Sequence, residues 1–248
     1  MIDIKTYSTS QIAKIVGVHP NTVRMYEQWG LLQVPERKAN GYRVYSDIHI
    51  AQFKLAKKAF QIEVLQAGLR KKVIEIVKFS AKYQFEDAIN GAKEYLEIAK
   101  REMCYAKEVA EYANTLFEIS PQNQKTYRRA EVAKELGLTI DTIRNWEMNG
   151  LLSIKRKENG YRVYDAIDMK RLKIIRSLRC ANYSLSAILR MLNLLEQRQD
   201  GNALELLNTP HDDEDIVLAC DRLIDSLEMA SKNIEEVLEM LYEMKMNY

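Results

Sequence analysis

The sequence predicts a mainly α-helical chain with two winged helix-turn-helix domains. Each domain is followed by a long helix, and the two long helices form an antiparallel coiled coil. Three observations lead there. The chain contains a long internal repeat. Proline and glycine are scarce, at four and nine in 248 residues, so long stretches run without a helix breaker. Two heptad seams of equal length, at 89–117 and 216–244, each follow one copy of the repeat.

The repeat is read directly. Gly17, Arg24, Glu27 and Gly30 recur as Gly137, Arg144, Glu147 and Gly150, each 120 positions later. Leu31-Leu32 recurs as Leu151-Leu152, and the hexapeptide Asn-Gly-Tyr-Arg-Val-Tyr of residues 40–45 returns at 159–164. Solenoid units run to roughly 20–50 residues, so a period this long is a duplicated domain. The expected division is a first domain at 1–80, its long helix at 81–119, a linker at 120–126, a second domain at 127–200 and a second long helix at 201–248.

Charge follows the repeat. Net charge is only +2, yet residues 1–60 carry nine Lys/Arg against four Asp/Glu, and residues 125–180 carry fourteen against seven. Two basic blocks on an acidic remainder suit a polyanion such as double-stranded DNA. No apolar run reaches about 18 residues, so no membrane span is expected. Residues 1–5 lack the basic and apolar regions of a signal peptide. Three scattered cysteines fit a reducing compartment, so a cytoplasmic location is expected.

Each copy then reads in order. Ser8-Thr9-Ser10-Gln11 is a capping box, Ile12, Ala13, Ile15 and Val16 form an apolar face, and Gly17 ends the helix. His19-Pro20 opens a second helix carrying Asn21, Thr22, Arg24 and Tyr26, which stops near Gly30. Two short helices around a glycine turn make a helix-turn-helix. In the second copy Thr139 is the cap, and Thr142, Arg144, Asn145 and Trp146 stand on the matching helix. Arg128 in place of Ser8 suggests some drift there.

A hairpin wing follows, with one arm at residues 31–34, a basic tip and Asn-Gly before the second arm. Its candidate DNA-binding residues are Arg37, Lys38, Tyr42 and Arg43. The second copy offers Lys155, Arg156, Lys157, Tyr161 and Arg162. Strand alternation sets Arg43 and Arg162 opposite Val44 and Val163, as phosphate clamps.

The long helices carry the pairing seam. Ile89, Ala92, Leu96, Ala99, Met103, Ala106 and Ala110 recur at alternating spacings of three and four, as do Ile216, Cys220, Leu223, Leu227, Ala230, Ile234, Val237, Leu241 and Met244. Antiparallel, small residues of one seam meet large residues of the other, as close packing requires. One chain is therefore expected to act as a monomeric pseudo-dimer, with a further homodimer left open.

The order helix-turn-helix, R-x-aromatic-E-x-x-G-L-L, basic tip, N-G-Y-R-x-Y and a helix led by Asp47 or Asp165 resembles the MerR family of bacterial transcription regulators. The resemblance implies a winged helix-turn-helix that reads the major groove and clamps the flanking backbone. Arg24, Arg144, Tyr26 and Trp146 match its recognition-helix positions. Tyr42, Tyr161, Arg43 and Arg162 match its wing positions. It further implies promoter DNA, with RNA polymerase as a second partner, and dimerisation through an antiparallel helix pair. Met25 and Asn145 depart from the family's usual second aromatic, and residues 63–68 replace its Tyr/Phe-Ser-Leu turn in the first copy.

Other chemistry finds little support. No glycine-rich phosphate loop, HExxH or nucleophile elbow appears, so no enzyme is expected. His19, His49 and His211 show no ligand spacing, and no metal or cofactor is expected. The acidic run 212–215 suits the start of the last helix. No large effector module is expected after Met244, although Met240, Tyr242 and Met246 could edge a small pocket. The alternative of a different class is an architectural or excisionase-like DNA-bending factor. A weaker one gives one unit over to protein contacts.

Overall fold

The computed structural model describes residues 5–61, 65–112, 125–154, 160, 162–199 and 216–248. The chain divides into two compact units. Unit 1 is Met1–Lys100 with Leu227–Tyr248, and unit 2 is Arg101–Ser226.

In unit 1, α1 (Thr9–Val16) starts on the expected capping box. Gln11 N donates to Ser8 Oγ at 3.3 Å, and Ser8 N donates to Gln11 Oε1 at 2.8 Å. Gly17 takes a left-handed φ of 69°, which releases the chain into α2 (Pro20–Gln28). Ile12, Ala13, Val16, Val23, Leu32, Tyr45 and Phe53 form one buried cluster between these helices and α3 (Asp47–Ala59). Ser46 is the N-cap of α3, and His49 Nδ1 accepts from Ser46 N at 3.0 Å. Asp47 instead accepts from the Tyr7 hydroxyl at 2.7 Å. α4 (Leu69–Ala81) follows after left-handed Ala67 and Gly68. Buried Gln52 of α3 ties the loop to α4, accepting from Gln33 N and donating to Ser80 O.

The hairpin is short. β1 (Glu36–Arg37) pairs antiparallel with β2 (Arg43–Val44), in the register Glu36 with Val44 and Arg37 with Arg43. Its first arm lies beyond the expected 31–34. Leu31 and Leu32 are buried in the core, and Pro35 has no N–H to give a ladder. Gly41 N donates to Lys38 O at 2.8 Å, and Lys38 N to Tyr42 O at 2.9 Å. This three-residue loop needs the φ of 79° at Gly41.

Unit 2 repeats the plan with α6 (Arg129–Leu136), α7 (Ile140–Met148), α8 (Ala166–Cys180) and α9 (Leu185–Gln199). Asp165 caps α8 by accepting from Asp168 N at 2.9 Å. Asp47 and Asp165 are therefore not equivalent, because Ser46 holds the matching place. Arg128 offers no side-chain acceptor, yet Glu131 still takes the Arg128 N–H at 2.7 Å, so half the box survives.

Two long helices complete the units. α5 (Phe85–Tyr112) begins in unit 1 and ends in unit 2, and α10 (Ile216–Asn247) does the reverse. In unit 1, Lys245 near the end of α10 forms an ion pair with Glu86 near the start of α5. In unit 2, Val109 joins a core cluster with Ile216, Ala219 and Cys220. All nine seam residues of α10 are buried. On α5 the fully buried residues are Ala88, Ile89, Ala92, Tyr95, Ala99, Glu102, Ala106 and Val109. Of the expected seam, Ile89, Ala92, Ala99 and Ala106 are buried, while Leu96, Met103 and Ala110 are only half-buried beside the buried Tyr95, Glu102 and Val109. The cause is further packing on α5. In unit 1, a Cβ at Gly91 would lie 3.1 Å from Ile76 of α4. In unit 2, Glu102 is buried against Arg176 of α8. Phe117, the linker residues 120–124 and the acidic run 212–215 lie outside the described residues.

Candidate nucleic-acid interface

The second helix of each pair turns one face to the core and one outward. On α2, Val23 is buried, while His19, Asn21, Arg24, Met25 and Gln28 are exposed. On α7, Ile143 and Trp146 are buried, while Asp141, Arg144, Asn145 and Met148 are exposed. These are matching rows at helical spacing. His19 spends Nδ1 as the N-cap acceptor for Asn21 N at 3.2 Å. Thr22 and Thr142 are half-buried, and Thr142 N donates to Thr139 Oγ1 at 3.1 Å.

Two expected contact residues face the wrong way. Trp146 is only 5% exposed and sits in the unit 2 core. Tyr26 stacks on Phe53 with centroids 4.5 Å apart. Both aromatics occupy the core-facing side because a large ring there buries apolar area beside α3 or α8.

The exposed arginines are each held by a residue one turn earlier. Arg24 Nη1 donates to Asn21 Oδ1 at 2.8 Å. Arg144 Nη1 pairs with Asp141 Oδ1 at 3.1 Å. The first partner is neutral and the second is a carboxylate, so the two faces differ in charge.

Beside α2 the hairpin exposes Arg37, Lys38 and Tyr42, the last 72% exposed. Strand alternation places Arg43 with buried Tyr45, on the inner face. Arg43 Nε donates to Glu27 Oε2 at 2.6 Å, and the Tyr45 hydroxyl reaches the same oxygen at 3.4 Å. The Glu27 hydrogen bond holds the Arg43 guanidinium above its ordinary pKa. In unit 2, Glu147 takes Arg129 Nη2 at 2.7 Å, Arg162 Nε at 3.2 Å and the Tyr164 hydroxyl. Burial, then that hydrogen bond, pushes the Tyr164 phenol up to about 12. The repeated glutamate thus ties each helix pair to the segment that leads into the next helix, at Arg43 and Tyr45 in unit 1 and at Arg162 and Tyr164 in unit 2. Its recurrence in the sequence marked it, but its partners did not follow from spacing. Lys155, Arg156, Lys157 and Tyr161 lie outside the described residues.

Two regions, residues 7–71 and 127–195, match the MerR HTH family regulatory protein, together more than half the chain. The chain belongs to the MerR HTH family. The HTH-type transcriptional regulator AdhR of Bacillus subtilis is 39% identical over 69 residues, covering 27% of this chain and 49% of AdhR. The regulator ZntR of Escherichia coli gives the same identity and coverage. CueR of Escherichia coli is 40% identical over 53 residues, covering 21% of this chain and 39% of CueR. The chain therefore spans half or less of the length of these curated MerR relatives. The crystal structure of HiNmlR, a MerR family regulator lacking the sensor domain and bound to promoter DNA, is 22% identical over 48% of this chain and 77% of that one. Its TM-score of 0.27 is too low to carry an argument.

Proposed function

We propose that the chain is a sequence-specific regulator that binds double-stranded DNA through both MerR units, as a pseudo-dimer on an imperfect inverted repeat. The observation behind this is the duplicated outward row. Each unit of this family member exposes one arginine-bearing helix face. We assign Asn21, Thr22 and Arg24 to one half-site and Thr142, Arg144 and Asn145 to the other. His19 acts there through its backbone cap. Arg37, Lys38 and Tyr42, with Lys155, Arg156, Lys157, Tyr161 and Arg162, serve as wings on the flanking phosphates.

The coiled-coil reading rests on the ion pair at the start of α5, the cluster at its end and the buried row of α10. Pairing within one chain then holds the two winged domains of 1–80 and 127–200 at fixed spacing. Such a clamp distorts promoter DNA for RNA polymerase at a cost on the order of 1–6 kcal/mol.

Selection from a random duplex library, followed by footprinting, tests this. The expected result is an imperfect inverted repeat bound by one chain of 28.9 kDa, with Arg24→Ala and Arg144→Ala each weakening one half. No enriched site, two chains per duplex, or two variants without effect would overturn it. Genomic protection of an attachment site instead of a promoter spacer would favour the architectural alternative.

A further inference from the structure

We propose that unit 1 binds a small aromatic carboxylate behind α2, and that this ligand changes the hold of α2 on DNA. The second half rests on the DNA-binding reading above.

Unit 1 contains a cavity of about 660 Å³. That lies within the roughly 300–1,000 Å³ typical of small-molecule sites. Aromatic rings wall it on one side, with Tyr26 and Trp29 from the end of α2 and Phe60 from the end of α3. Trp29 is 56% exposed and Phe60 37%, so apolar ring area faces water beside an open hole. From α4 the lining also takes Arg70, Ile74 and Lys78. Spacings of four and eight put these three on one helix face. Neither cation has an ion-pair partner among the described residues. Flat apolar rings and two cations in one lining select a planar ring that carries an anionic group. A cationic ligand would be repelled. Met246 and Tyr242 do not line the cavity.

The duplication supplies an internal control. Where unit 1 has Ala59, unit 2 has Leu178, which is 1% exposed in the core. Where unit 1 has Tyr26, unit 2 has the larger Trp146, also buried there. Phe60 corresponds to Arg179, which turns to donate to Tyr183 O at 2.5 Å. The same scaffold thus fills this space in one copy and leaves it open in the other.

The cavity touches the DNA-facing element directly. Tyr26 lies on α2 two residues beyond Arg24, and Trp29 is the helix's C-cap. An occupant wedged between these rings and α4 fixes the seat of α2 on α3. Allosteric couplings of this kind run to about 5–150-fold in affinity.

The test uses the full chain and 2-naphthoate as probe, titrated calorimetrically. One saturable site is expected. 2-Naphthylmethanol should bind at least 10-fold more weakly, and 2-naphthylmethylamine should not bind. The double variant Arg70→Glu/Lys78→Glu, at exposed positions, should lose the acid but keep its melting curve. Ala59→Leu, which imports the unit 2 residue, should lose acid and alcohol alike. Equal binding of acid and alcohol, or acid binding that survives charge reversal, would overturn the site. Preloading with 2-naphthoate should shift the affinity for the selected duplex, and an unchanged affinity would overturn the coupling. A chain that binds the acid but no DNA would sink the regulator reading and leave the site standing.

Discussion

Arg43 gives its Nε–H to Glu27 at 2.6 Å, so the hairpin arginine reaches inward to the helix pair. The second copy strengthens the same tie, because Arg129 stands where the first copy has Thr9 and adds a second cation to Glu147. The segments that lead into α3 and α8, at Arg43 and Arg162, are therefore anchored with unequal strength.

Glu147→Gln should cost more stability than Glu27→Gln. The first strands the largely buried Arg129, the more exposed Arg162 and a closely bound tyrosine, while the second strands one arginine and a tyrosine hydroxyl at 3.4 Å. Removing one partner of a buried ion pair costs about 3–5 kcal/mol, and the partial exposure here lowers that to about 2–3 for Glu147 and about 1 for Glu27. Urea unfolding of both variants checks the order, and equal midpoints would contradict the anchoring account.

Charge at the second helix face is set by one residue. Asp141→Asn should remove the carboxylate beside Arg144, tighten binding to duplex DNA and steepen its salt dependence by about one phosphate contact. Asn21→Asp should do the opposite in unit 1. Salt titrations of binding measure both. Identical slopes in wild type and variants would show that neither face meets DNA.

Burial depresses the pKa of His49 below its usual 6.5. The unfolded chain therefore takes up that proton first as pH falls. Stability is intact above about 6.5 and drains away below it, until the folded imidazole also charges. Protonation would also cost the Nδ1 acceptor that caps α3. Comparing unfolding at pH 7.5 and 5.5, the loss should be larger in wild type than in His49→Gln.

Thiol chemistry should separate the three cysteines. Cys104 is exposed, whereas Cys180 and Cys220 are buried. Burial, reinforced by Glu102, pushes the Cys180 thiol up to about 12, and the thiolate is the reactive form. Ellman's reagent should titrate one thiol in the native chain at pH 8 and all three in denaturant. Rapid native release of three would mean that unit 2 is not packed as described.

Local signals in the sequence translated well into structure. The Ser8–Gln11 box and the His19-Pro20 start involve residues within one turn, so no distant contact could override them. The row on α10 was legible because one face does all the burying. α5 was harder. Tyr95 is buried toward the cavity and Glu102 against Arg176, so the buried face is broader than one seam. Alternation set Arg43 opposite Val44 but could not say which side was inward, so the expected phosphate clamp is instead paired to Glu27. Trp146 was misplaced for a related reason, since a ring on a helix face looks the same from sequence whether it meets DNA or core.

The division of the chain has a consequence for synthesis. Unit 2 is one continuous stretch, while unit 1 joins Met1–Lys100 to Leu227–Tyr248. A ribosome thus delivers every residue of unit 2 while unit 1 still lacks its closing helix. The half begun first is completed last, because Met1–Lys100 must wait for Leu227–Tyr248 to be made before unit 1 is whole.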